Sequence, residues 1–515
     1  MSITTTRPVL AQLDGQSFDV AIIGGGINGT TTALALSQAG YSVLLVDKAD
    51  FACGATGRSG RTLHCGLQYL APQKSAWEFA ANPREFFMRL GVARQTAVDY
   101  EDICDALPDR LRPMETAVPV FSHSAFSGWQ VDIGSRIIKS FSRGRGGFRY
   151  RRVKPGSESA SPFVDVLRDR GELRSIVSFV DQRFHWPERI AIDNAFLAET
   201  RGAVVRNFTQ VTSMRQGQGG AWEIGLNDSF EDAGTSTVRA RLVLNLAGAW
   251  LDRVLGLVEP TLPSLVTGVK GVYFVTRLPD KFRGQGIGGL NRRGEAITCL
   301  PWGDLHYVGP TQTRYEGDLD HVRPDEESIR FLLEELAHFL PGLELARKDV
   351  IMAWAGVRPI TSAPGHPKGK WLPYSVIHDL EPYGIANMIS LTWGVLINHL
   401  STARRLTEMV KAKLPATHRP QPEQQIGSGM PRTQSSIRID EAAIRYCVEH
   451  EQARDLPGIL FRRLGFGWEG HLTRQMAELA VDVLGDVLGW DERRVKAEIA
   501  GFEDYLADQH LTGLN

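Results

Sequence analysis

The chain has 515 residues, of which 43% are hydrophobic and 23% charged, and a formal net charge of −1. That is the make-up of an ordinary globular protein, long enough for two to four domains at roughly 150 residues each. A charge so near zero excludes a global field that would draw it to nucleic acid. Five cysteines, Cys53, Cys65, Cys104, Cys299 and Cys447, show no C-x-x-C spacing. This argues against a zinc site or a disulfide framework, so no metal is expected and a reducing compartment fits. The opening "MSITTTRPVLAQLDGQS" has neither a basic nor an apolar signal region. No apolar run reaches the roughly 18 residues that span a bilayer. The expected location is the cytoplasm, with peripheral attachment to the inner membrane left open.

In chain order, residues 19–23 (DVAII) read as a buried parallel strand, 28–39 as a helix with small residues on its inner face, and 42–47 (SVLLVD) as the next strand. Strand, helix and strand with short joints make a βαβ unit. Residues 76–107 carry helical periodicity interrupted at Asn82-Pro83. Short β-branched runs follow: "AVVRNFTQV", "AWEIGLN", "RLVLNLAG", "VKGVYFVT" and "LHYVGP". "EESIRFLLEELAHFL" and "RRLTEMVKAKL" read as amphipathic helices. Residues 414–437, rich in Pro, Gly, Gln and Ser, read as a linker. Residues 439–510 are mostly helical, broken at "GFGWEGH".

Gly24, Gly26 and Gly29 form G-x-G-x-x-G between the first strand and helix. The first glycine permits the turn, the second lets backbone approach a pyrophosphate, and the third lets helix and strand pack closely. The amino end of the helix, with Ile27 and Asn28, then offers free N–H groups and a positive partial charge to phosphates. Asp47, beside Lys48, closes the second strand twenty-one residues after Gly26, where a carboxylate accepts hydrogen bonds from a ribose. The spacing predicts a dinucleotide site. The loop "VDKADFACGATGRSGRTLHCG" favours FAD over NAD, because it returns to no helix and is built to cover a diphosphate. "LVLNLAGAW", with Gly248, reads as the strand and turn before a substrate domain. "ISLTWGVLINHLSTARRLTEMV", with Gly394, reads as a late helix whose amino end faces the flavin.

These stretches together resemble the FAD-dependent glycerol-3-phosphate dehydrogenases, within the wider D-amino-acid-oxidase-like flavoproteins. "LNLAGAW", "YVGPTQTRYEGD", "WAGVRPI" and the tail "AAIRYCVEHEQARDLPGILFRR" recur in the family's order. The resemblance covers nearly the whole chain. It implies an α/β fold: a Rossmann-type FAD-binding domain, a mixed-sheet substrate domain and a C-terminal all-helical cap. The boundaries expected are 18–75, 165–262 and 350–413 for the FAD domain, 76–164 and 263–349 for the substrate domain, and 438–515 for the cap. The resemblance further implies oxidation of a secondary alcohol, a polyol or polyol phosphate, to a ketone by hydride transfer to flavin N5. Thr56, Ser59, Arg61 and Leu63 fall on the loop that covers FAD, and Val211 falls where backbone meets the adenine. His64, Tyr69 and Arg358 match positions that look towards the ring and substrate.

The departures are specific. "CGLQYL" carries Gln68 where the family has an arginine for the substrate phosphate. "WGVLINHLST" lacks the family's lysine, and a basic position near "KWLPYSVIHD" is not clearly matched. A phosphate in a partly desolvated pocket wants permanently charged bidentate donors, and glutamine is not one. A base for the hydroxyl proton should lie within hydrogen-bond reach. His64 is the first candidate, against a purely structural role, and it is also where covalent flavin attachment would be sought. His399 is the second candidate. Tyr69 would orient the hydroxyl, Arg358 would offset developing negative charge, and Trp393 would stack on the ring or substrate.

Residues 136–154, "RIIKSFSRGRGGFRYRRVK", hold eight Arg or Lys and no acid. They read as a basic loop, either solvated or docked on an anionic membrane. Partners expected are a small alcohol, a quinone or other electron acceptor, that membrane surface and a second copy of the chain, but no nucleic acid. Two alternatives stay open: an FAD-dependent amine or amino-acid oxidase, and a non-catalytic flavin-binding partner protein.

Overall fold

The computed structural model describes residues 7–72, 79, 81–142, 148–157, 160–230, 234–363, 375–419, 439–470 and 472–514. Strand Ser17–Ile23 is buried from its second residue on. It pairs in parallel with Val43–Val46 on one side and Thr235–Asn245 on the other. Val204–Arg206 and Met388–Thr392 extend this sheet, also in parallel, and Val376–Asp379 closes one edge antiparallel. Continuous Val, Ile and Leu with little alternation is what strands covered on both faces require. Helices Ile27–Gln38, Pro187–Thr200 and His399–Lys413 pack together against this sheet, burying Leu34, Leu36, Ala195, Leu406 and Val410. An antiparallel excursion, Thr209–Gln216 and Trp222–Asp228, hangs from Thr235–Asn245.

A second, ten-stranded sheet is mostly antiparallel. Its long members are Leu111–Phe121 paired with Leu173–Phe184, and Val266–Thr276 paired with Val350–Thr361. Helix Glu326–Phe339, capped by Asp325 through the Ser328 N–H, lays Ile329, Leu332 and Leu336 on its face. The C-terminal helices Glu441–His450, Arg474–Leu488 and Glu492–His510 share a core with the sheet's aromatic residues. Trp302, Trp354 and Trp468 meet there, and Phe461 stacks on His510 at 4.5 Å between ring centroids.

The architecture is the expected one: a nucleotide-binding α/β sheet, a mixed second sheet and an all-helical C-terminal part. Three details differ. Leu173–Phe184 and Val350–Thr361, expected with the nucleotide-binding part, lie in the second sheet. The described residues of 136–154 are mainly helix and strand, not loop. Helix Gly128–Phe141, with a Ser127–Gln130 capping box, covers the first of them, and strand Arg149–Val153 pairs with Leu173–Phe184. The stretch holds no acid of its own, but the fold supplies two: Asp132 pairs with Arg152 at 2.7 Å and Glu115 with Arg151 at 2.5 Å. Most of the expected linker, from residue 420 on, lies outside the described residues, as does all of "KWLPY".

Candidate functional site

The glycine turn closes as its spacing demands. Gly24 has φ +115°, and a Cβ on it would come within 2.5 Å of the Leu246 carbonyl oxygen, so the "LNLAGAW" turn lies directly on it. A Cβ on Gly29 would sit 1.8 Å from the Gly24 carbonyl oxygen. Only glycine brings the helix this close. Gly26 is the helix N-cap and has no side chain to satisfy the first N–H groups. A Cβ there would project to within 3.2 Å of Thr56 Oγ1, into the space before the helix end. Ile27 N–H donates to Thr56 Oγ1 at 3.0 Å, so the covering loop is tied to the helix start. Asp47 accepts from the Gly25 and Ala49 N–H groups at 2.6 and 2.9 Å. Burial nevertheless pushes its carboxyl up to about 6. Its remaining exposed surface leaves room for a further hydrogen-bond donor, which a ribose supplies.

Four segments converge on the helix start. Asn28 Nδ2 donates to the Gly394 carbonyl at 2.9 Å. The Trp393 N–H donates to the Pro359 carbonyl at 2.9 Å, next to Arg358. The covering loop is held over the second sheet by Tyr307 Oη, which donates to the Gly60 carbonyl at 2.7 Å, and by Trp354 Nε1, which donates to the Ser59 carbonyl at 3.3 Å. Ser59 Oγ donates to the Thr56 carbonyl, and Leu63 is fully buried. A β-bulge between Val211 and Ser213 interrupts the ladder at the position expected for adenine contact. Lys48 pairs with Asp320 and lies over the Trp250 ring, in the turn that begins at Gly248. The helix end without a capping side chain, the glycine cradle and the half-buried acid fit FAD.

Arg61 behaves otherwise than expected. Its guanidinium is buried against Glu188 at 2.5 Å and over the Trp468 ring at 4.2 Å. It ties the covering loop to the C-terminal helices. Burial outweighs the pairing and pushes Glu188 up to about 7.

His64, Gln68 and Tyr69 form one cluster. Gln68 Nε2 lies 3.0 Å from His64 Nε2, and the Tyr69 ring stands edge-on to the imidazole at 5.5 Å. Burial pushes the imidazole down to about 4, so it is neutral at pH 7. His64 Nδ1 is buried without a partner. Arg358 is half-buried, donates to the Thr311 carbonyl at 2.9 Å, and is pushed down by desolvation. His399 is fully buried at the start of its helix. Its Nδ1 donates to the Leu396 carbonyl at 2.7 Å, its Nε2 has no partner, and burial lowers it to about 4. No hydrogen bond among the described residues joins His399 to the His64 cluster. Two polar residues beside that cluster were not anticipated, Asp181 and Gln130. A lone acid in the apolar strand "SIVSFVDQRF" was the available signal.

Comparison with known proteins agrees with this geometry. Residues 19–381 match the family DAO, described as FAD dependent oxidoreductase, and residues 404–495 match the C-terminal domain of alpha-glycerophosphate oxidase. The chain is 26% identical over 422 residues to a glycerol-3-phosphate dehydrogenase from Synechocystis sp., covering 78% of this chain and 71% of that one. It is 28% identical over 411 residues to a D-erythritol 1-phosphate dehydrogenase from Brucella abortus, covering 78% and 75%. In fold it resembles the glycerol-3-phosphate dehydrogenase from Bacillus halodurans complexed with FAD, with a TM-score of 0.68 and 20% identity over 97% of this chain and 96% of that one.

Proposed function

This chain belongs to the FAD dependent oxidoreductase family, and from that premise we propose that it oxidises a secondary alcohol, of the polyol or polyol phosphate class, to a ketone. The observation that carries this reading is the His64–Gln68–Tyr69 cluster, standing directly beyond the covering loop with a neutral imidazole. FAD, when bound, supplies the two-electron oxidant that takes hydride from the alcohol carbon. Gly24, Gly26, Ile27, Asn28, Gly29, Asp47 and Thr56 would hold it, with Gly394 beside Asn28. The Gln68 amide N–H donates to His64 Nε2, which places the ring proton on Nδ1 and leaves Nε2 as the lone pair. The substrate hydroxyl takes the place of the amide and delivers its proton to Nε2. Tyr69 flanks the hydroxyl, and Arg358 offsets charge developing on oxygen.

The amine-oxidase alternative needs no base for a hydroxyl proton. The test is anaerobic mixing of the FAD-loaded protein with alcohols, alcohol phosphates and amines. Alcohols should bleach the flavin, and bleaching by amines alone would refute alcohol oxidation. His64→Gln should lower that rate about 10²–10⁴-fold, the usual range for a general base, with FAD content unchanged. A folded pKa near 4 means that the base is lost only as pH falls through about 4. The rate constant at saturating alcohol should therefore be level from pH 6 to pH 8. An acid limb that persists in His64→Gln would assign the titration elsewhere.

We further propose that electrons pass to a quinone or similar carrier at an anionic membrane. No helix among the described residues is long and apolar enough to cross a bilayer. Helix Gly128–Phe141, however, exposes Trp129 and Ile133, and the start of helix Pro83–Ala106 exposes Phe87 and Met88. Arg136, Lys139, Arg149, Arg151 and Arg152 are exposed nearby in sequence and strand. Vesicles containing anionic lipid should sediment the protein at low salt and release it at high salt. Trp129→Ser with Ile133→Ser should weaken binding about tenfold or more, and unchanged sedimentation would contradict this docking face.

A further inference from the structure

Beside His64 lies a cavity of about 200 Å³, far larger than the roughly 10–15 Å³ that admits one water. Several elements wall it. Val177, Phe179 and Asp181 point into it from alternate positions of strand Leu173–Phe184. Val131 and Gly134 face it from helix Gly128–Phe141, and Leu67 from the turn that carries Gln68. The polar groups on its wall are His64, Gln68, Gln130 and Asp181, and no Lys or Arg lines it among the described residues. Arg89 donates to the Ala71 carbonyl at the rim but is held by Glu85 at 2.8 Å.

The cavity is continuous with the proposed reaction site, because His64 and Gln68 belong to both. Among the described residues, a phosphate placed in it would find no permanently charged donor, only the carboxamides of Gln68 and Gln130 and the His64 imidazole, and would lie in the same space as the Asp181 carboxyl. That carboxyl is 4% exposed and accepts from the Cys65 N–H at 3.0 Å. Burial pushes it up to about 7, so an anion beside it would meet a second negative charge or a proton drawn in to cancel it. Hydrocarbon meets neither cost, and the Val, Leu and Phe walls favour it.

We propose that this cavity receives the side group of the substrate alcohol, and that this group is uncharged and mainly hydrocarbon, not a phosphate. The inference rests on the reading of His64 as the site of alcohol oxidation and narrows the substrate class given above to alcohols without a phosphate.

The test uses the FAD-loaded full chain under anaerobic conditions and follows flavin bleaching. Probes are isopropanol and its straight-chain homologues up to a secondary octanol, glycerol 3-phosphate, and benzylamine. The apparent second-order rate constant should rise about threefold to fourfold per added methylene until the cavity is filled. Glycerol 3-phosphate should fall below the longer alcohols. Val131→Trp should flatten the chain-length series, and Gln68→Arg should shift preference towards glycerol 3-phosphate by about tenfold or more. A wild-type series with no slope, or glycerol 3-phosphate ahead of every uncharged alcohol, overturns the inference and leaves alcohol oxidation standing. Bleaching by benzylamine alone overturns both.

Discussion

Gly29→Ala is expected to yield a protein that no longer retains FAD and that unfolds at lower temperature. The added Cβ would lie 1.8 Å from the Gly24 carbonyl oxygen and 3.0 Å from its carbon. Both are backbone atoms, so no rotamer change relieves the contact. Either the helix withdraws from the turn or the Gly24 peptide rotates, and each displaces the N–H groups that would meet the diphosphate. Overpacking of this kind costs about 1–3 kcal/mol in folding. Loss of cofactor removes the further stabilisation that a ligand confers on the native state. Gly91→Ala is the control: the residue is helical and nothing lies within 4 Å of the added Cβ, so it should keep its flavin and gain about 0.5–1 kcal/mol. The measurements are flavin released per chain on denaturation and the thermal midpoint. A yellow Gly29→Ala protein with an unchanged midpoint would contradict the close approach.

Asp50→Ala is expected to destabilise the protein by about 3–5 kcal/mol, the usual result of removing one partner from a buried ion pair. Asp50 is 1% exposed and takes hydrogen bonds from Arg462 Nε, from both terminal nitrogens of Arg463 and from Asn207 Nδ2, at 2.6–2.9 Å. The acid lies three residues beyond Asp47, and both arginines belong to the C-terminal segment. A second bridge runs alongside: Arg189 holds Glu451 at 2.5 Å and Asp193 at 2.6 Å. Without Asp50, two guanidinium groups stay buried with fewer partners and the C-terminal helices lose their hold on the cofactor side. The arginines keep the Asp50 carboxyl below the ordinary 3.8. Its contribution is therefore present in full above pH 4 and falls away as pH drops below that value. Denaturant midpoints of wild type and Asp50→Ala should converge in acid and diverge at neutral pH. A constant difference across that range would show that packing, not charge, is what the substitution removes.

Much of the cofactor site is legible because its determinants are local. Gly24, Gly26, Gly29 and Asp47 lie within one βαβ unit, and their spacing alone dictates the turn, the helix end and the acid. The C-terminal helices are legible for a similar reason, since a 3.6-residue period survives in isolation. What was not legible is pairing at long range. Val350–Thr361 is apolar enough for either sheet, and only its register against Val266–Thr276 assigns it to the second. The basic stretch at 136–154 looks unpaired in sequence because its acids, Asp132 and Glu115, precede it and are brought back by the helix and the strand. Arg61 sits among covering-loop residues, yet its side chain turns away to Glu188 and Trp468, 127 and 407 residues further on. His64 and Gln68 are four residues apart, and their contact follows from one turn of chain. The apolar cavity next to them follows from several separate elements and leaves no local sign.

The most direct measurement is anaerobic titration of the purified, FAD-loaded protein with a secondary alcohol while the oxidised-flavin band is recorded. One flavin per chain is expected, fully bleached by the alcohol, with the corresponding ketone recovered in equal amount. A stoichiometric flavin that no alcohol bleaches, or a purified chain that carries no flavin and takes none up, would contradict it.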